Sequence, residues 1–143
     1  MIMDYNVQFS DGVSAIAIPS NTAATQTEYA SDVLDLQTAG YNIGAGTPIW
    51  AIFSIGTTFS GTTSNPVFVT LYGGTASGTV ATQIFRSRTF SIGEMSKGVY
   101  LMAQPLPAGY AMLRFVKVAA VLSGVSLTAG AFDAYLSLNA PRF

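Results

Sequence analysis

The sequence contains neither cysteine nor histidine, and only 9% of its 143 residues are charged. Without cysteine there is no disulfide framework and no thiolate nucleophile. Without histidine the commonest general base and the usual nitrogen ligand for transition metals are missing. Ser-His-Asp and Cys-His catalytic sites are therefore excluded, and no metal site or cofactor is expected. Ordinary soluble domains carry about 25% charged residues. A chain that is 50% hydrophobic with so few charges has little to solvate a whole exterior. A Ser/Thr/Gly-rich β protein can show the same composition, but the favoured expectation is that other chains cover much of the uncharged surface. No apolar run approaches the roughly 20 residues needed to span a bilayer. The best stretch, Val118 to Leu122, is short and follows Lys117. The start, "MIMDYN", lacks the basic and apolar regions of a secretory signal. A soluble protein with no membrane partner is expected. A net charge of −1 with no basic block argues against nucleic acid as a partner.

What the sequence does contain is alternation of period two, with no helical periodicity. In "FDAYLSLN", Phe132, Ala134, Leu136 and Leu138 face one way, and Asp133, Tyr135, Ser137 and Asn139 the other. "PVFVTLYGG" and "TVATQIFRSRTF" read as two strands joined through "GGTASG". "GVYLMAQPLPAGYAMLRFVKVAAVL" reads as two more, broken at Pro105, Pro107 and Gly109. "VSAIAI", "DVLDLQ" and "PIWAIFSI" bring the count to about eight strands at sandwich-like spacing. The best helix candidate, "TQTEYASDVLDL", reads instead as a loop running into a short strand. Nothing divides the chain, so residues 1–143 are taken as one all-β, antiparallel two-sheet sandwich. Its expected core comprises Leu34, Leu36, Trp50, Ile52, Leu71, Leu101, Leu113, Phe115, Leu136 and Leu138, with Ile49 and Phe53 competing for the inner face of the Trp50 strand.

"YNIGAGTPIWAIFSIG" poses the question of a ligand loop. A dinucleotide fingerprint needs G-x-G-x-x-G between a strand and a helix. Here proline and β-branched or aromatic residues follow the glycines, so Gly44 and Gly46 are turn residues and Pro48 opens a strand. Asp32 and Asp35 form the closest carboxylate pair; a glycosidase could use such a pair, but hydrogen-bonded turns are the better reading. The alternating oxygen ligands of a calcium loop are lacking. Arg86 and Arg88 share one strand face and read equally as a solvated face or as a docking pair for a partner's carboxylates. Arg114, between Leu113 and Phe115, is either solvent-facing or paired across an interface. The aromatics belong mainly to the core. "LNAPRF" places Phe143 where a free terminus would fray.

Several short landmarks occur in a familiar order. "MDYNVQFSDG", "DVLDLQTAGYNIGAGTPIWA", "LPAGYAMLRF" and "VSLTAGAFDAYLSLN" together resemble the capsid cement, or decoration, proteins of short-tailed bacteriophages of the Bordetella-phage kind. The stretch from Asn65 to Gly98 departs from that pattern, being rich in Gly, Thr and Ser where an acidic segment is expected. The resemblance implies a jelly-roll sandwich that binds the outer surface of an HK97-type capsid and bridges neighbouring major capsid subunits. It also implies self-association, with a dimer preferred and a trimer next, and no catalytic activity. Contacts are expected from an N-terminal arm (residues 1–12) through Asp4, Tyr5, Phe9 and Asp11, and from a C-terminal tail (residues 141–143) through Arg142 and Phe143. Arg86 and Arg88 are the secondary candidates. The leading rival is a carbohydrate-binding jelly-roll module on a phage surface. A glycosidase centred on Asp32, Asp35 or Glu94 ranks last.

Overall fold

The computed structural model describes residues 8–10, 16–17, 27–37, 48–61, 67–108, 114–122 and 127–139. Among them are ten strands: β1 (Gln8–Ser10), β2 (Ile16–Ala17), β3 (Thr27–Ala30), β4 (Leu34–Asp35), β5 (Trp50–Gly61), β6 (Val67–Gly74), β7 (Thr82–Arg86), β8 (Tyr100–Pro105), β9 (Phe115–Leu122) and β10 (Leu127–Ser137). All pairings are antiparallel. One sheet runs β1-β10-β5-β8, with β2 also on β10; the other runs β3-β9-β6-β7, with β4 also on β9. With β1 and β2 taken as one interrupted strand, and β3 and β4 as another, the two sheets have the interleaved order of a jelly roll. The helical content among the described residues is two short 3-10 turns, Ser77–Thr79 and Ile92–Glu94.

Alternation decides which residues enter the core. Ala51, Phe53 and Ile55 of β5 meet Leu136, Ala134 and Phe132 of β10 directly across the ladder. From the facing sheet, Val67, Val69 and Leu71 of β6 pair with Leu122, Ala120 and Val118 of β9. All these side chains are buried in one cluster. Phe132 lies at its centre, 5.1 Å edge-on from Phe53 and 4.7 Å from Phe59, ring centre to ring centre. Burying one such ring stabilises the fold by about 1.5–3 kcal/mol.

This register corrects parts of the expected core. Leu71, Leu101 and Leu136 are buried, and Leu34 and Leu36 pack against the cluster from its margin. On β5 the inner face belongs to Phe53 and its odd-numbered neighbours. Trp50 is only partly buried, and Ile52, although buried, sits on the opposite face. Phe115 is partly buried on the outer face, because it shares parity with Lys117 and the ammonium cannot enter the core without a large desolvation cost. Leu138 is 64% exposed. β10 ends one residue earlier, where the Ser137 hydroxyl accepts a hydrogen bond from the Asn139 amide at 3.1 Å and donates to its carbonyl at 3.0 Å. Leu113 lies outside the described residues. Thr27–Ala30, expected as loop, is a strand: the pairing with β9 is interrupted only briefly before β4, and Ser31 bridges the break by accepting from the Val118 amide at 3.1 Å.

The pairing of β10 with β5 shifts register on both sides of Ala131. The adjoining Gly130 has φ +153°, and a Cβ there would lie 2.4 Å from the Phe59 ring. Gly130→Ala must displace Phe59 from Phe132, so we expect it to lower unfolding stability by about 1–3 kcal/mol. Gly93→Ala, where an added Cβ meets nothing within 4 Å, is the matched control and should leave the urea midpoint nearly unchanged.

Candidate functional site

β7 and β8 are edge strands, one from each sheet, and the sandwich opens between them. A cleft of about 550 Å³ lies there. Buried Leu101 and Met102 and partly buried Phe85 supply its apolar lining, while Arg86, Arg88 and Gln104 are exposed. The two arginines singled out from the sequence therefore line one cavity. β7 ends at Arg86 rather than continuing to Phe90. Phe90 instead forms an isolated bridge to Val67, with amide–carbonyl distances of 2.7 and 2.9 Å.

The two guanidinium groups are held differently. Arg86 stacks over the Phe68 ring at 3.7 Å, and among the described residues it makes no ion pair. Arg88 lies over Phe90 at 3.9 Å and donates to the Glu94 carboxylate at 2.8 Å and to the Thr89 carbonyl at 3.1 Å. Glu94 closes the 3-10 turn as a capping box, accepting from the Ser91 amide at 2.8 Å and from its hydroxyl at 3.1 Å. The Arg88 hydrogen bond, followed by the two from Ser91, lowers the Glu94 carboxyl from 4.5 to about 2.

The outer faces of the two sheets differ in chemistry. On the β3-β9-β6-β7 sheet, Arg86 stacks on Phe68, Lys117 lies 5.3 Å from Tyr72, and Arg114 lies 4.8 Å from Phe115. Arg114 also reaches Asp35 at 3.4 Å, so it is paired within the chain. Asp35 in addition accepts from the Gln37 amide at 2.8 Å, the turn role read from the sequence. Asp32 is exposed. Among the described residues no cluster of His, Cys, Asp and Glu could hold a metal ion.

The other outer face carries Trp50, Ile52, Tyr100, Tyr135 and Asp133, placed together by the β5 register with β8 and β10. Gly56 seats the Asp133 carboxylate, since a Cβ there would fall 2.5 Å from it. Burial, then the charge of and hydrogen bond with Tyr100, then the charge of Asp133 push the Tyr135 phenol up to about 12. Sequence reading placed Tyr135 outward but missed its partner. Tyr100 reaches this face through a register shift between Phe53 and Ser54, which nothing local announces.

Phe9 falls within β1, in the stretch paired with Tyr135 and Ala134. Part of the expected N-terminal arm is thus a sheet strand, at the opposite edge of its sheet from β8 and the arginine cleft. Asp4, Tyr5, Asp11, Arg142 and Phe143 lie outside the described residues.

A family model described as Bbp16 matches residues 18–136 of the chain. No curated protein matches it.

The two shifted groups set opposite pH limits. Glu94 is lowered on folding, so its contribution is fully present above pH 4.5 and is lost as pH falls toward 2. Glu94→Gln should flatten the acid limb of a thermal-melt series. Tyr135 is raised, so its contribution is complete below pH 10 and is lost as pH climbs toward 12. Tyr135→Phe should remove the latest-ionising phenolate from an alkaline absorbance titration.

Proposed function

The chain belongs to the Bbp16 family, a Bordetella phage protein family, and from that premise we propose that it is a non-catalytic structural protein of the virion, a cement that binds the outer surface of the capsid. The family match over residues 18–136 carries the reading, and a charge content of 9% supports it by leaving an exterior suited to being covered. Cement binds the assembled shell and bridges neighbouring major capsid subunits. Because it recognises their assembled arrangement and not the separated subunits, it stabilises that arrangement by linkage. Modest contacts suffice when one oligomer engages several subunits together. A symmetric dimer, with a trimer next, is the expected unit, and the apolar face around Trp50 and Ile52 suits contact between copies.

A carbohydrate-binding role is the second reading. It is favoured by the aromatic side chains Trp50, Tyr100 and Tyr135 on that same face. Glycan binding that is lost in Trp50→Ala, without capsid binding, would select it.

The purified protein should co-sediment with emptied or expanded capsids and not with unassembled capsid protein. It should also run as an oligomer in analytical ultracentrifugation at micromolar concentration. Removing residues 1–7, which stops short of β1, or changing Arg142 and Phe143 to alanine should leave the melt unchanged and weaken capsid binding. Equal binding by the trimmed variants would move the contact away from the termini.

A further inference from the structure

We infer that the cleft between β7 and β8 is a receptor for an extended, acid-bearing segment of a partner polypeptide, which adds as a strand to the free edge of β8. Three observations converge on it.

First, β8 is an edge. Among the described residues it pairs with β5 alone, and β7 pairs with β6 alone. A six-residue edge strand such as Tyr100–Pro105 presents alternate amide and carbonyl groups outward over about 20 Å. The usual guards against strand addition are sparse. β8 carries no lysine, arginine or acid, and its proline stands at its last position.

Second, the cleft has depth and a divided chemistry. Its roughly 550 Å³ falls in the range of built ligand sites. Leu101, Met102 and Phe85 offer apolar contact to one set of side chains on an incoming strand. Arg86 stands where the alternate set would pass. Alternation on the ligand therefore matches the division of the cleft.

Third, the charge is of one sign. The lining includes Arg86 and Arg88 and no carboxylate, in a chain whose net charge is −1. Arg88 is already committed to Glu94 at 2.8 Å. Arg86 has no ion pair among the described residues, and its stacking on Phe68 fixes the plane of the guanidinium while leaving its N–H edges for a carboxylate. The ligand it recognises is a carboxylate on an extended backbone. This proposal concerns the isolated protein and does not require the capsid reading; if that reading holds, the cleft is a second, sequence-selective grip on the shell.

The test uses fluorescence anisotropy with the full-length protein and a labelled octapeptide alternating valine and glutamate. Saturable binding that weakens with added salt is expected. An alternating valine–lysine peptide should not bind. Arg86→Gln should weaken binding by about tenfold, the usual scale for a lost charge-assisted hydrogen bond, while Arg88→Gln should matter much less. Melts of both variants monitor folding. A version of the octapeptide N-methylated at alternate residues separates strand addition from a bare ion pair, because it keeps the carboxylates and loses the ladder donors; it should not bind. Full binding by the methylated peptide, or by Arg86→Gln, overturns the proposal. So does tighter binding of a peptide spanning residues 1–12, which would give the cleft to a second copy of this chain. Peptide binding without capsid co-sedimentation would sink the capsid reading alone, and the reverse would sink this one.

Discussion

The pairing of the last strand with the middle one is the constraint on which the sandwich depends. β10 lies between β1 and β5, carries β2 as well, and places Phe132 against Phe53 and Phe59. Neither N-terminal strand has a partner in this sheet until β10 arrives. The β5–β10 ladder joins residues far apart in sequence, such as Phe53 and Ala134. Its loop-closure entropy must be met before the phenylalanine cluster forms, which places the domain among the slower-folding topologies. Gly130 belongs to the same constraint: the closest approach in the cluster is made where a side chain is absent.

Much of this was legible because alternation and charge are local signals. Val116, Val118 and Ala120 had to face inward once Lys117 was required to face out. Ser54 and Gly56, among the larger apolar residues of β5, marked its even-numbered face as the outer one, although Trp50 and Ile52 obscured the parity. The Ser91–Glu94 capping box can be read directly from "SIGE". The rest depended on non-local register. Gln8–Ser10 form a strand only because Tyr135 and Ala134 are available beside them. Tyr100 meets Tyr135 only through a shift in the β5–β8 ladder. The cleft exists because two strands distant in topology end up as facing edges. Both of its arginines were conspicuous in the sequence, but their difference, one committed to Glu94 and one not, is a matter of tertiary placement.

A chain with few charges positions them with care. Arg86, Arg88, Arg114 and Lys117 each lie over an aromatic ring. Stacking covers apolar ring surface with the stem and head of a cation that still meets water. It also restricts side chains that would otherwise lose conformational freedom on meeting a partner, which lowers the entropic cost of contact. The cation-bearing face and the tyrosine–tryptophan face lie on opposite sides of the sandwich, so two neighbours of different chemistry could be engaged together.

The antiparallel register of β1 and β10 sets Gln8 beside Tyr135. The start of the first strand and the finish of the last therefore share one corner of the molecule. Anything appended genetically at either end would emerge from that corner, displayed in the same direction and at nearly the same spot. For a protein used as a display scaffold, the choice between an N-terminal and a C-terminal fusion becomes a choice of linker rather than of location. Two cargoes fused at once would be held as near neighbours, an arrangement suited to split reporters or paired antigens.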